Sequence, residues 1–98
     1  MDTKEVWTVG INGRAKKSGE SLPQEIRLAF MALFKALATD GPVQQNRRHY
    51  GKLAGRPNTY HCHLNGGRPT YVVIWKVLDK QKKIMEIQYV GTHENAPY

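Results

Sequence analysis

The chain holds a single cysteine, Cys62, among 98 residues. No intrachain disulfide can form, as suits a protein of the reducing cytosol. No apolar run approaches the roughly 20 residues that span a bilayer. The opening MDTKEVW has no signal-peptide core. A cytoplasmic protein with no membrane partner is therefore expected. Acid is also scarce where it matters. Between Gly41 and Leu78 there is no Asp or Glu, while Arg47, Arg48, Lys52, Arg56, Arg68 and Lys76 all fall there. A second cysteine, a paired carboxylate and an HExxH pattern are missing too, so the usual supports of a metal site are absent. There is no internal repeat or low-complexity segment.

What is present is positive charge. The formal net charge is +7 and the pI near 9.8. Such a surface suits an anionic partner: nucleic acid, an acidic protein or an acidic lipid surface. The bland alternative is a basic surface that serves only solubility. Hydrophobic residues at 40% and charged residues at 23% mark a globular chain rather than a disordered tail. The length fits a single domain over 1–98 with one modest core. A surface groove is a better site for so small a protein than a deep pocket.

Periodicity predicts an α+β domain. Val6–Ile11 reads as a short strand, weakened by Gly10 and suited to a sheet edge. Asn12–Glu20, polar and basic, reads as a loop. Ser21, Pro23 and Gln24 resemble a capped helix start. Leu22, Ile26, Ala29, Phe30, Leu33 and Leu37 follow at helical spacing, flanked by Met31 and Phe34, until Asp40-Gly41-Pro42 stops the run. Val43–Asn58 lacks period and reads as a long basic loop. Thr59–Leu64 and Thr70–Val77 read as a hairpin bent at Asn65-Gly66-Gly67, where Asn and Gly would supply positive φ. After the charged turn Asp79–Lys83, Ile84–Val90 reads as a last strand, with Met85, Ile87 and Tyr89 on one face. The expectation is an antiparallel sheet of about four strands, with one long helix packed on one face.

Alternation along the hairpin separates two chemistries. Tyr60, Cys62 and Leu64 share the core-facing side, and His61 and His63 share the other. All four histidines, His49, His61, His63 and His93, lie in the second half. Imidazole changes charge near neutral pH and suits both proton transfers of RNA cleavage by a neighbouring 2′-hydroxyl. Arg47, Arg48, Arg56 and Arg68 are candidates to hold the phosphate. Tyr50, in the basic loop, is the best candidate to stack on a base, although tyrosines more often pack. A three-histidine metal site using His61, His63 and His49 or His93 is the competing chemistry. Each histidine alone could instead be an ordinary solvated polar residue. Cys62, facing the core, reads as packing rather than as a nucleophile.

The segments RRHYGKL, YHCHLNGGRPTYVVIWKV and EIQYVGTHENAPY, in this order, resemble the RelE/ParE superfamily of bacterial type II toxins. The resemblance is nearest to RelE-type mRNA interferases of the YafQ-like and HigB-like branches. It covers about His49 to Tyr98; before that it is architectural. It implies a RelE-like fold, a toxin that cuts mRNA on the ribosome without a metal or other cofactor, contacts with rRNA, and a cognate antitoxin protein as partner. It implies that His93 donates the proton to the leaving oxygen and that His63 or His49 acts as base or positions the phosphate. Arg47, Arg48 and Lys52 would bind backbone phosphates. The YafQ-like pattern has a carboxylate at the place of His61, and many relatives end in an aromatic residue near the catalytic edge, a role for which Tyr98 is the candidate. The usual helical hairpin is replaced by one long helix in this reading. The alternative is a non-enzymatic basic toxin or RNA-binding module, including a ParE-like gyrase inhibitor, against which the histidine set argues.

Overall fold

The computed structural model describes residues 6–98; the first five residues of the MDTKEVW opening lie outside the described residues. The elements follow in the order β1 (Thr8–Ile11), α1 (Gly13–Glu20), α2 (Gln24–Asp40), β2 (Gly51–Lys52), β3 (Thr59–His63), β4 (Tyr71–Asp79) and β5 (Ile84–Thr92), closed by a 3₁₀ turn at His93–Asn95. The strands form one five-stranded sheet in the order β1-β5-β4-β3-β2. The domain is α+β as expected, but the sheet is mixed: β1 lies at the edge, as expected, and runs parallel to β5. Parallel pairing needs a long crossover, and here the crossover runs through both helices and most of the chain.

Both helices pack on one side of the sheet. Leu22, Phe30, Leu33 and Leu37 meet Tyr60, Cys62, Val73, Trp75, Met85, Ile87 and Val90 in one core. Trp75 is fully buried, and its indole N–H donates to the Pro42 carbonyl at 3.1 Å. The helical stripe thus does what its spacing predicts, although Met31 stays 59% exposed.

Asn12–Glu20 is not a loop. Asn12 caps α1: its side-chain oxygen accepts from the Ala15 backbone N–H at 2.8 Å. The same side chain donates to the Gln88 carbonyl of β5 at 3.1 Å. The face that α1 buries consists of Ala15 and Gly19, four residues apart. A methyl group at Gly19 would lie 3.3 Å from the Phe30 ring, so the helix packs through small residues. Without large apolar residues the stripe is invisible to a hydrophobic-period test. A helical hairpin is therefore present after all. Ser21 ends α1 rather than capping α2, which starts behind Pro23 with no side-chain cap.

Two further expectations change. The long loop 43–58 contains β2, which extends the sheet beside β3. The β3–β4 connection is no two-residue turn, and neither Gly66 nor Gly67 takes the left-handed conformation. Asn65 organises it instead, accepting from Tyr71 N–H at 2.8 Å and donating to the Pro69 carbonyl at 3.1 Å. In β5 the register slips by one residue: Trp75 pairs with Ile87 but Ile74 with Tyr89. Such a bulge moves the following side chains to the other face. Tyr89 therefore leaves the Met85–Ile87 face, and Val90 takes its place in the core.

Replacing Asn12 by alanine removes a cap and a tether. Asn12→Ala is expected to lower stability by about 1 kcal/mol, whereas Lys16→Ala on the exposed face of α1 should change it by less than about 0.5 kcal/mol. The midpoint of urea unfolding measures both.

Candidate active site

The sheet face opposite the helices carries the histidines. β3 pairs His61 with Ile74 and His63 with Val72 of β4. Val72 and Ile74 are almost completely buried, so this face is covered rather than simply solvated. The covering groups are drawn from three places. His49 reaches in from the loop before β2. Its φ of 52° is left-handed, uncommon for a residue with a side chain. Two backbone bonds fix that turn: Tyr50 N–H to the Arg47 carbonyl at 3.3 Å and His63 N–H to the Arg48 carbonyl at 2.8 Å. His93 follows β5, and its N–H donates to the Thr70 carbonyl at 2.7 Å. Tyr98 folds back from the tail.

The rings form a continuous cluster. His49 stacks on His63 with centroids 4.2 Å apart. His63 meets His93 edge-on at 5.4 Å. Tyr98 lies 5.8 Å from His93 and 5.3 Å from His61. All four predicted histidines are thus brought together. Beside them opens a cleft of about 330 Å³, lined by His63, Arg68, Pro69, Thr70, Thr92, His93 and Glu94.

Burial differs within the set. His61 and His63 are half-buried, and His49 and His93 are exposed. Burial pulls the pKa of His61 below the ordinary histidine value, and the charges of His49 and His93 add to this. His63 is lowered likewise, by burial first and then by His49, His93 and His61. The Nδ1 atom of His61 is buried without a hydrogen-bond partner. A bare ring nitrogen tolerates that position better than a charged N–H would. The inner pair is thereby biased toward neutral imidazole, the form that accepts a proton. Burial, then Tyr89 and Cys62, raise the pKa of Tyr98.

The basic residues divide. Arg68 lines the cleft. Arg48 lies close by, its guanidinium 3.1 Å from where a methyl group at Gly66 would sit. Arg47 lines a depression beside the end of α2, with Asp40 and Gln44, that no histidine lines. The Lys52 ammonium sits 5.9 Å over the Tyr60 ring, on the helix side. Tyr50 stacks with Tyr60 at 6.1 Å and Trp75 at 6.2 Å, so its ring extends the core. Arg56 donates to the Pro97 carbonyl of the tail. Cys62 is buried, with its thiol pushed up to about 11, mainly by burial, which suits packing and not nucleophilic attack. Thr70, Thr92 and Glu94 complete the cleft without having drawn notice in the sequence. Only the adjacency of Thr92 and Glu94 to His93 could have signalled those two; Thr70 is joined to His93 by the fold alone, through its carbonyl. Among the described residues no group of three or more His, Cys, Asp or Glu is arranged to hold a metal ion.

The lowered pKa values have a consequence for stability. The unfolded chain protonates His61 and His63 near the ordinary value of about 6.5, and the folded chain does so at lower pH. Neutral imidazoles keep their full contribution above about 6.5 and lose it as pH falls from there through the folded values. Thermal stability should therefore drop between pH 7.5 and pH 5, and His61→Asn with His63→Asn should flatten that drop in a series of melting curves.

No protein-family model matches the chain, and no curated protein does. Solved structures do match. The archaeal RelE–RelB complex from Pyrococcus horikoshii contains a chain with TM-score 0.73 and 24% identity, over 93% of this chain and 99% of that one. The E. coli RelBE toxin–antitoxin complex gives 0.69 at 20% identity, over 91% and 99%. The YoeB–YefM complex from Staphylococcus aureus gives 0.67 at 13% identity, over 89% and 97%. No helix among the described residues is long and apolar enough to cross a membrane. The chain has the fold of the RelE and YoeB toxins.

Proposed function

We propose that this protein is the toxin of a type II toxin–antitoxin pair and a metal-independent endoribonuclease that cuts mRNA on the ribosome. The observation that carries the reading is the cluster of four imidazoles beside a cleft lined by Arg68. The toxin fold and the acid-free basic stretch from Gly41 to Leu78 support it. In this reading an RNA phosphodiester enters the cleft between His63 and His93. His63, biased toward its neutral form, accepts the proton of the 2′-hydroxyl, with His49 stacked on it and His61 beside it. The 2′-oxygen attacks the phosphorus. His93, exposed at the cleft, delivers a proton to the departing 5′-oxygen. The products are a 2′,3′-cyclic phosphate and a 5′-hydroxyl end. Arg68 and Arg48 balance the charge of the pentavalent phosphate, for which guanidinium geometry is suited. Tyr98 closes the site from the tail.

The antitoxin is a partner by the same reasoning. The three matched structures are complexes, two that pair RelE with RelB and one that pairs YoeB with YefM. An acidic protein would complement a surface of net charge +7. A cytoplasmic site of action follows from a ribosomal substrate.

Induction of wild type and His93→Ala side by side tests the assignment. Wild type is expected to arrest growth with mRNA cut inside translated frames. His93→Ala is expected to lose about a hundredfold or more in cleavage rate, the worth of one proton-transfer group. Arg68→Ala should weaken RNA binding and reduce its salt dependence. Arrest by both proteins with intact mRNA would leave a non-enzymatic basic toxin, with gyrase the next target to test.

A further inference from the structure

Among the described residues, Arg56 is the one predicted phosphate ligand whose guanidinium makes a hydrogen bond. It sits in the turn between β2 and β3 and does not line the cleft. Gly55 before it has a left-handed φ of 77°, and the Arg56 N–H donates to the Leu53 carbonyl at 3.3 Å. The turn is anchored on both sides: Leu53 N–H donates to the Thr59 carbonyl at 2.9 Å, and Val77 N–H to the Asn58 carbonyl at 2.9 Å. From this base the exposed side chain donates to the Pro97 carbonyl, 41 residues away. The residue after that carbonyl is Tyr98.

The tail has few other holds. Ala96 N–H returns to the His93 carbonyl at 3.2 Å. Ala96 itself has extended backbone, with φ −67° and ψ 141°. Pro97 has no N–H to donate. Tyr98 is 49% exposed; its ring is tilted at 42° to that of His61 and nearly perpendicular to that of His93. A half-exposed ring on an extended segment with so few backbone bonds keeps one position only where something holds its backbone. A guanidinium on a carbonyl is a charge-assisted hydrogen bond, stronger than a neutral one.

We infer that Arg56 is a positioning residue that clamps the tail at Pro97, so that Tyr98 is held over His61 and His93. It acts on the site through Tyr98 and does not hold the phosphate. The clamp links the turn before β3 to the residues after β5, which the sheet itself does not join on this face. It also makes the site's closure adjustable: releasing one side chain frees the tail while the four histidines stay in place.

The structural part of this inference is tested without any activity. The ring carbon and proton resonances of His61 and His93 report the Tyr98 ring current. Arg56→Ala should shift them to the values found in Tyr98→Ala, with the His49 resonances little changed and the melting temperature kept. Unchanged His61 and His93 resonances in Arg56→Ala would overturn the clamp, whatever the protein's activity. The functional part rests on the ribonuclease reading and is a double-mutant cycle on the wild-type chain. Arg56→Ala should lower kcat with KM and salt dependence unchanged, and should cost nothing further in the Tyr98→Ala background. A raised KM, a reduced salt slope, or an equal loss with and without Tyr98 would make Arg56 a phosphate ligand instead. A wild type that cuts no RNA would sink the ribonuclease reading while leaving the resonance test of the clamp intact.

Discussion

The pairing of β3 with β4 fixes which side chains of TYHCH go where. Tyr60 lies opposite Trp75 and Cys62 opposite Val73, all on the helix side. That leaves His61 and His63 no choice but the other face, over Ile74 and Val72. A slip of one residue would bury two imidazoles in the core and expose the ring of Tyr60, so the core enforces the site. The bulge in β5 completes the arrangement. By moving Tyr89 off the core side and Val90 onto it, the bulge lets the strand run on to Thr92 and deliver His93 next to His63.

Crowding four imidazoles costs stability whenever they carry charge, and the distribution of burial contains that cost. The two strand histidines are half-buried and biased toward neutrality; the two on connecting segments face solvent. A proton acceptor needs the first environment and a group that meets an anionic substrate suits the second. Clusters of perturbed titratable groups beside a cleft are a recurrent mark of functional sites. The left-handed His49 fits the same pattern, since uncommon backbone conformations persist where the surroundings over-determine them.

Much of this was legible in the residues. The alternation of β3 separated core from site, and the α2 stripe gave the main helix. The meeting of His49, His63 and His93 was implied by resemblance and not by spacing, because the three lie on separate segments that only the tertiary fold joins. α1 was hidden because it packs through Ala15 and Gly19, which carry no hydrophobic signal. The parallel partner of β1 was hidden because nothing local in Thr8–Ile11 marks it. Tyr50 and Lys52 belong, by sequence, to a basic loop; pairing of Gly51–Lys52 with β3 turns both toward the aromatic stack of Tyr60 and Trp75. In the sequence Arg56 shows only its charge, and no local pattern places the Pro97 carbonyl beside it.

The most direct test of the account is the chemistry of the cut ends. Purified protein would be added to translating ribosomes in the presence of a chelator, and the new RNA termini identified. The account predicts cleavage of the ribosome-bound message with a 2′,3′-cyclic phosphate upstream and a 5′-hydroxyl downstream. Intact message, or ends carrying a 5′-phosphate, would contradict it.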